Sequence, residues 1–304
     1  MINCRVDAQS VLTMAAKRVR ERQRQRDIKT GRPGYLARLV LLLGVGFLTS
    51  APALAQRAEL ISRTELRVCA DPRNLPFSNE AREGFENKIA EIIGADLELP
   101  VSYVWFPQVT GFVRNTLRAR ECDLVMGAVS GDGVMDSTNP YYHTGYMMVT
   151  RKADDIAARS VGDPALAGKK FGVVAATPPT DLLLRYNLMN QMRAYSLRVD
   201  TRISNPPRAM LQDLVDGVID VALVWGPPAG YAIKQEHLPL TAVFIEPEPN
   251  APRLDYRIAM GVRANEPEWR RRINQAIGKH KAEIATVLAD YGVPIMGDQG
   301  QPNP

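Results

Sequence analysis

Histidine and cysteine are scarce in this 304-residue chain, which has three of each. The histidines, His143, His237 and His280, are scattered along the sequence. No His or Cys cluster has the spacing of metal ligands, and no Ser/His/Asp or Cys/His arrangement indicates a catalytic nucleophile. The acidic residues show no calcium-loop spacing. We therefore expect no metal, no cofactor and no catalytic residue in this chain.

The N-terminal region lacks an apolar run long enough to cross a membrane. Its run Leu39–Leu48 has ten residues, whereas a spanning helix needs about 20. It follows an arginine-rich stretch and precedes the small residues of Ala53-Leu54-Ala55. This pattern predicts a Sec-type signal peptide over residues 1–55, with cleavage after Ala55 and export to the periplasm. We expect no stable membrane span.

The net positive charge of the chain comes from that leader. The whole chain has 38 Lys and Arg against 33 Asp and Glu, a net charge of +5, and residues 1–55 hold ten basic and three acidic residues. The 28 basic and 30 acidic residues that remain put the mature chain near −2. We therefore expect no binding to nucleic acid.

Two cysteines remain after cleavage, Cys69 and Cys122. An even number in an oxidising compartment favours a disulfide. Cys69, however, lies near the end of one predicted strand and Cys122 at the start of a parallel neighbour. That offset predicts Cα atoms more than the ~7 Å apart that a disulfide can bridge. Both a bridge and two buried thiols stay open.

The mature chain alternates short apolar strands with helical patterns, which is typical of an α/β fold with parallel strands. Strands are predicted over 66–70, 101–106, 123–129, 141–150, 169–175, 197–202, 218–224, 241–245 and 256–262. Helices are predicted over 85–97, 112–120, 180–187, 207–215, 231–235 and 268–291.

These elements form two βαβ units joined by two crossing segments. The predicted lobe 1 comprises residues 56–148 and 245–304, and lobe 2, residues 149–244, is inserted within it. Hinge residues are predicted where the chain crosses: Thr150, Arg151, Ile245 and Glu246.

Several motifs occur in an order that resembles a known family. LRVCADPRNLPFS precedes GFENKIAEIIGADLEL, and ARECDLVMGAVS, PYYHTGYMMV, GKKFGV and DGVIDVALVWGPPAGY follow. The chain is similar to type II periplasmic solute-binding proteins of the amino-acid-binding kind (bacterial extracellular family 3), which implies two Rossmann-like lobes. The runs CADPRNLPFSNEAREGFENKIAE and WGPPAGY further resemble the J proteins encoded beside quinoprotein methanol dehydrogenases (MxaJ/XoxJ type).

Ligands of open α/β sheets bind beyond the carboxyl ends of the strands. The predicted cleft residues are Asp71, Asn74, Phe77, Ser130, Asp132, Tyr142, Thr177, Pro178, Trp225, Pro227 and Tyr231. We interpret Asp71 as capping the turn that follows it and Glu86 as a first-turn helix charge. Trp105 and Tyr141 are interpreted as core residues.

The resemblance also shows what this cleft lacks. Amino-acid binders place an Arg after the third strand to clamp the carboxylate, and SGDGVMDSTNP over 130–140 has no Arg or Lys. They place an Asp where Trp225 stands here. Paired prolines at 178–179 and 227–228 occupy predicted helix starts, where proline offers no N–H to an anion.

Three functions follow as hypotheses. The resemblance implies a non-catalytic periplasmic accessory that supports maturation or activation of a PQQ-dependent alcohol dehydrogenase, whose cytochrome c is a further possible partner. PQQ and calcium or a lanthanide would belong to that enzyme. The alternative is a solute-binding protein that delivers a small neutral solute to an ABC permease. An enzyme would need an acid–base pair, and only Asp71 with Glu86 could supply one.

Overall fold

The computed structural model describes residues 63 to 297. The predicted signal peptide, its cleavage site and Cys4 lie outside these residues. Twelve strands are present in this part of the chain: β1 Leu66–Ala70, β2 Arg73–Asn74, β3 Ser78–Asn79, β4 Val101–Trp105, β5 Leu124–Val129, β6 Asp136–Ser137, β7 Tyr142–Arg151, β8 Phe171–Val174, β9 Met192–Tyr195, β10 Val221–Trp225, β11 Leu240–Phe244 and β12 Asp255–Val262.

Seven α-helices accompany the strands in the described residues. They are α1 Phe85–Asp96, α2 Phe112–Asn115, α3 Pro178–Arg185, α4 Pro206–Val215, α5 Gly226–Lys234, α6 Pro267–Lys279 and α7 Lys281–Asp290. Short 3₁₀ turns occupy Lys152–Asp154, Pro164–Leu166 and Met189–Gln191.

Strand β7 joins two sheets because it is long enough to pair in both. Its first half, Tyr142 to Gly145, pairs with β12, and its second half, from Tyr146, pairs with β10 and β11. The strand order is β4-β1-β5-β12-β7-β10-β8-β9, with β1 parallel to β4 and β5 and with β8 parallel to β9 and β10. Each lobe is therefore a parallel α/β unit closed by an antiparallel strand.

The core of lobe 1 forms where the apolar stripes of its helices meet the sheet. Phe85, Ile89 and Ile93 follow the helical period along α1 and are fully buried. Trp269 and Ile273 of α6 pack into the same cluster. Lobe 2 buries apolar residues on both faces of β8 and β10, in two further clusters.

The disulfide that the sequence left open is present between Cys69 and Cys122, whose Cα atoms lie 5.4 Å apart. The expected separation was wrong because Cys122 does not extend in line with β5. It lies in an irregular turn that follows Arg120, whose φ is 65°. This turn brings Cys122 back to Cys69 in a small cluster with Phe112 and Leu117.

Three predicted elements were wrong. The helix predicted over 112–120 ends at Asn115, and turns follow it. Residues 197–202 alternate in polarity, yet the edge strand is β9 at Met192–Tyr195 and the later segment forms a turn. That turn is fixed by Asp200, which accepts bonds from the backbone N–H and the guanidinium of Arg202. The predicted long helix over 268–291 is two helices, separated at His280, whose ring bonds Asp96 and Glu283.

The two lobes also meet through helices. Lys234 and Gln235, at the end of α5, donate to the carbonyl oxygens of Ala289 and Asp290 at the end of α7, both at 2.7 Å. Gly230 approaches so closely that a Cβ atom there would lie 1.8 Å from the carbonyl oxygen of Gly292. The contact is therefore backbone against backbone.

Candidate functional site

The carboxyl ends of the parallel strands face a cleft between the lobes, and hydrogen bonds close part of it. Asp71, directly after β1, accepts from the hydroxyl of Thr201 at 2.7 and 2.9 Å. The guanidinium of Arg73 donates to the carbonyl oxygen of Arg202 at 3.1 Å. Thr201 and Arg202 belong to the turn after β9, so the lobes are in contact on this side of the cleft.

Two cavities lie within the cleft. The first, of about 340 Å³, is named the Glu86 cavity and is lined by Phe77, Glu86, Gln108, Gly127, Val129, Tyr142, Tyr146, Trp225, Tyr256 and Ile258. The second, of about 210 Å³, is named the Thr177 cavity and is lined by Asn74, Phe77, Gln108, Tyr146, Val174, Thr177, Ser196, Leu197, Val199, Thr201, Ser204, Asn205, Pro206, Pro207, Leu223, Val224, Trp225 and Pro228. Phe77, Gln108, Tyr146 and Trp225 are shared, so the two cavities adjoin.

Five of the predicted cleft residues line these cavities: Asn74, Phe77, Tyr142, Thr177 and Trp225. Asn74 donates through its amide to Gln108 at 3.2 Å. The hydroxyl of Thr177 donates to the carbonyl oxygen of Val174 at 2.6 Å.

Asp71 lies beneath the cleft and is fully buried. Besides Thr201, it accepts from the backbone N–H of Arg73 at 2.9 Å and from that of Gln108 at 2.7 Å. The bond to Arg73 is the turn cap that the sequence predicts. With these three donors its carboxylate is satisfied within the protein.

The other predicted cleft residues do not line either cavity. Ser130 and Asp132 lie in the loop after β5, where Asp132 is exposed and accepts from the backbone N–H of Val134. Pro178 and Pro227 lie in the first turns of α3 and α5. Tyr231 stacks on Tyr291, with ring centroids 6.1 Å apart.

The predicted hinge residues are also placed. Thr150 and Arg151 end β7 well beyond the partner change at Gly145, and Arg151 binds the carbonyl oxygens of Leu214 and Ile219 within lobe 2. Ile245 and Glu246 follow β11, and Ile245 is buried. Their role as hinges stays a prediction.

Three helices of lobe 2 begin at the Thr177 cavity, and each carries a proline pair in its first turn. Two of these pairs follow the sequence prediction, and Pro206-Pro207 of α4 is a third. The first N–H after the pair is already used in α3 and α4, where Thr180 donates to the carbonyl oxygen of Thr177 and Arg208 donates to Asn205. Helix N-termini that otherwise bind anions thus offer few donors here.

Helix α5 is longer than expected. The sequence predicts a helix only over 231–235, whereas α5 spans Gly226–Lys234 with Trp225 as its N-cap residue. Proline is compatible with the first helical turn because the N–H groups there need no helical partner. The helix start therefore lies directly at the cavity wall.

The interpretation of Glu86 as a first-turn helix charge gives its position correctly but misses its burial. It does lie in the first turn of α1, but its side chain is only 5% exposed and lines the Glu86 cavity. Burial, and secondarily the negative charge of Asp71, raise its pKa to about 8. Burial cannot be read from one acidic residue at a helix start, so no local pattern predicts it.

Tyr146 and Tyr256 are further cavity residues that sequence reasoning missed. Trp225 contacts both edge-to-face, with centroids 5.2 Å from Tyr146 and 5.9 Å from Tyr256. Tyr146 lies where β7 changes partner, a position that the predicted crossing strand could have indicated. Trp105 and Tyr141 pack against the core of lobe 1, as interpreted.

A third cavity, of about 400 Å³, follows the crossing segments. Its buried His143 is held by Asp255, with 2.6 Å between imidazole and carboxylate, so that pair is mutually satisfied. Among residues 63 to 297 no group of three or more His, Cys, Asp or Glu side chains could hold a metal ion. Within the same range no helix combines the length and the apolar character that a bilayer span needs.

Comparison with known proteins agrees with this architecture. The model of the bacterial extracellular solute-binding proteins, family 3, matches residues 66–292. Protein MoxJ of Paracoccus denitrificans is 28% identical over 261 residues, covering 81% of this chain and 94% of that protein.

Two solved structures are similar over most of the chain. The periplasmic binding protein XoxJ from Methylobacterium extorquens AM1 is 38% identical, with a TM-score of 0.66, and the match covers 77% of this chain and all of XoxJ. MxaJ from Methlophaga aminisulfidivorans MPT is 28% identical, with the same TM-score, over 76% of this chain and all of MxaJ.

Proposed function

Because this chain belongs to the bacterial extracellular solute-binding proteins, family 3, and is a periplasmic binding protein of the MxaJ/XoxJ type, we propose that it is a non-catalytic accessory of a PQQ-dependent alcohol dehydrogenase. In this proposal the chain is exported by its N-terminal signal and cleaved after Ala55. It binds the dehydrogenase through the cleft and supports its maturation or activation, with methanol oxidation as the pathway that the J-protein resemblance implies.

The observation that carries the proposal is the composition of the cleft. Among residues 63 to 297, no Arg or Lys lines the Glu86 cavity or the Thr177 cavity, and no charged side chain lines the Thr177 cavity. A free amino acid needs a cation for its carboxylate, or several free helix amides, and the proline pairs remove the latter. The cleft is thus poorly suited to a zwitterion.

Exposed apolar residues at the edge of the Thr177 cavity support the proposal that the chain contacts a protein there. Ile203 is 85% exposed and Leu197 is 51% exposed, and both lie in the turn after β9. Exposed aliphatic side chains beside a groove lined by Trp225 and Tyr146 provide apolar area that a partner surface would bury.

The proposal assigns no cofactor to this chain. PQQ and its calcium or lanthanide ion would be held by the dehydrogenase, and a cytochrome c is a possible third component. The chain would act by binding, which agrees with a family of binding proteins.

Association of the mature chain with the dehydrogenase of the same organism tests the proposal. We expect crosslinking and sedimentation to detect a complex, and we expect Leu197→Asp with Ile203→Asp to weaken it at least tenfold because two charges would enter an apolar contact. Leu184→Asp is the matched control, since Leu184 is 61% exposed on α3 and lines neither cavity. A complex unchanged by the double substitution would contradict the assigned surface, and no complex at all would contradict the function.

The contact between the lobes favours a second candidate. Thr201 bonds Asp71 across the cleft, as in a binding protein closed on a solute, so the chain could deliver a small neutral solute to an ABC permease. A thermal-shift screen with neutral solutes tests this: one compound that raises Tm by several degrees, with no dehydrogenase complex, would favour transport.

A further inference from the structure

The carboxyl group of Glu86 is the acidic group in the wall of the Glu86 cavity. Its side chain is 5% exposed, and no hydrogen bond or ion pair to another described residue is formed by it. Its backbone N–H donates to the carbonyl oxygen of Phe77 at 3.0 Å, which fixes the start of α1. A carboxyl group that is buried without partners costs stability unless something else binds it.

The fold makes space for this carboxyl group. Gly127, in the middle of β5, also lines the cavity, and a Cβ atom there would lie 2.6 Å from Oε1 of Glu86. The glycine therefore lets the carboxyl group extend over the strand into the cavity. The other residues of β5 up to Ala128 are buried.

Aromatic rings form much of the remaining wall. Five line the cavity: Phe77, Tyr142, Tyr146, Trp225 and Tyr256. Aromatic faces attract organic cations, and the attraction is strongest where water is excluded. A carboxyl group among aromatic rings is the combination that binds an ammonium group on an aliphatic stem.

We propose that the Glu86 cavity binds a primary alkylammonium group, which pairs with the Glu86 carboxylate while its aliphatic stem lies among the five rings. A second acid favours a cation over a neutral hydroxyl group. Asp71 adds negative charge to the same region, and its own hydrogen bonds already satisfy it. In the part of the chain that the structure describes, no Arg or Lys that would compete for Glu86 lines either cavity.

Binding should be coupled to proton release. Burial, together with the charge of Asp71, raises the pKa of Glu86 to about 8, so near neutral pH the carboxyl group is mostly protonated. An ammonium ion that pairs with it displaces that proton: the carboxylic acid and the ammonium ion become an ion pair and a proton in solution. The ionisable groups whose charges interact with Glu86 are Asp71, Tyr103, Tyr141 and Tyr142, and burial raises the pKa of each of these tyrosines. The proton released near neutral pH is therefore the proton of Glu86.

Isothermal titration of the mature chain with n-butylammonium, and with n-butanol as its neutral counterpart, tests the proposal. We expect butylammonium to bind and butanol to bind at least tenfold more weakly. Affinity should rise up to about tenfold per pH unit from pH 6 to 7 and level off above about pH 8. Titration in buffers of different ionisation enthalpy should detect close to one proton released per ammonium bound at pH 6 to 7.

The variants separate the charge of Glu86 from its shape. Glu86→Gln keeps the volume and should lower butylammonium affinity at least tenfold and abolish proton release. Glu83→Gln is the matched control because Glu83 is exposed just before α1, and it should bind like the unchanged chain. Thermal unfolding of both variants verifies that they fold.

The ammonium group could come from a free amine or from a lysine side chain. A blocked Gly-Lys-Gly peptide distinguishes the two: tighter binding than butylammonium indicates a protein source, and weaker binding indicates a small amine. Butanol that binds as well as butylammonium, an unchanged affinity in Glu86→Gln, or no binding of either ammonium probe would overturn the inference. No dehydrogenase enters this experiment, so its outcome does not depend on the proposed function.

Discussion

Two buried carboxyl groups lie beside strand β5 of lobe 1, and the protein treats them in opposite ways. Asp123, just before the strand, accepts from Arg67 at 2.8 and 3.0 Å and from Arg263 at 2.6 Å. Glu86, beside Gly127 in the middle of the strand, has no such partner among the described residues. Burial acts to raise the pKa of both, but the hydrogen bonds from the two arginines outweigh it and lower the pKa of Asp123.

This difference separates a group that holds the fold from one that is available for binding. The charges around Asp123 satisfy one another: Arg263 also binds Glu266 at 2.6 Å and the carbonyl oxygen of Cys122. Glu86 carries the cost of burial without that compensation and faces a cavity. Perturbed and unpaired ionisable groups in clefts are frequent at functional sites.

The largest expected effect comes from breaking the paired group. Asp123→Asn removes the carboxylate that Arg67 and Arg263 share and leaves the buried Arg263 with Glu266 as its remaining charge partner. We expect a loss of about 3–5 kcal/mol in the free energy of unfolding, measured by urea denaturation. Asp200→Asn removes a solvent-accessible partner of Arg202 and should cost much less stability than Asp123→Asn. Similar losses in both variants would mean that the Asp123 network does not stabilise the lobe.

The disulfide adjoins that network, because Cys122 precedes Asp123. Cys69→Ala with Cys122→Ala opens a loop with a sequence separation of 53, and we expect a loss of about 2–4 kcal/mol. Reduction of the unchanged chain in the same urea titration should give a similar loss. A variant as stable as the oxidised chain would show that the ion pairs of Asp123 hold this end of β5 in place without the disulfide.

The pH dependence of stability distinguishes the two acids directly. The pKa of Glu86 is above its ordinary value of 4.5 in the folded chain, so the folded state binds a proton that the unfolded state has lost. Stability should fall by up to about 1.4 kcal/mol per pH unit from pH 5 toward pH 8 on this account. Glu86→Gln should remove that slope and Glu83→Gln should keep it.

Asp123 changes the stability with pH in the opposite direction. Because its pKa is lowered on folding, its contribution is present above the unfolded pKa and is lost as pH falls through the folded value. Unfolding free energies of Asp123→Asn should therefore change less than those of the unchanged chain below about pH 4. If the free energy of unfolding fell equally with pH in both proteins below about pH 4, the ion pairs of Asp123 would be contradicted.

The smallest effect concerns the space beside Glu86. Gly127→Ala places a methyl group against the flexible end of that side chain, so the carboxyl group can shift and we expect a cost of roughly 1 kcal/mol or less. The ammonium affinity should nevertheless fall, because the carboxyl group is displaced. Gly278→Ala is the control: no described residue lies within 4 Å of its Cβ position on α6. This substitution should stabilise the chain by up to about 1 kcal/mol without affecting binding.

The order of strands and helices could be predicted from the sequence because apolar runs and helical periods alternate clearly along it. The type II binding-protein fold was predicted correctly, and the proline pairs do lie at helix starts. The strand prediction over 197–202 was wrong because an alternation of apolar and polar residues also occurs in a turn whose charged side chains face the solvent. The sequence analysis missed the helix break at His280 because the break involves a hydrogen bond to Asp96, which is distant in sequence.

The candidate site was predictable only where local sequence decides it. The cap of Asp71 over its own turn involves residues two apart, and the absence of a carboxylate clamp could be read from 130–140. The contact of Thr201 with Asp71, the burial of Glu86 and the return of Cys122 to Cys69 all depend on tertiary placement. One sequence without its fold contains no measure of these distances.

The close approach of Gly230 to Gly292 limits how the two lobes can separate. No side chain lies between the two backbones at this point, so no rotamer change can absorb a small separation. The bonds of Lys234 and Gln235 to the last carbonyl oxygens of α7 would break together as the helices part. Opening should thus be a discrete step between a docked and an undocked α5, and a partner would encounter one of two cleft geometries rather than a continuum.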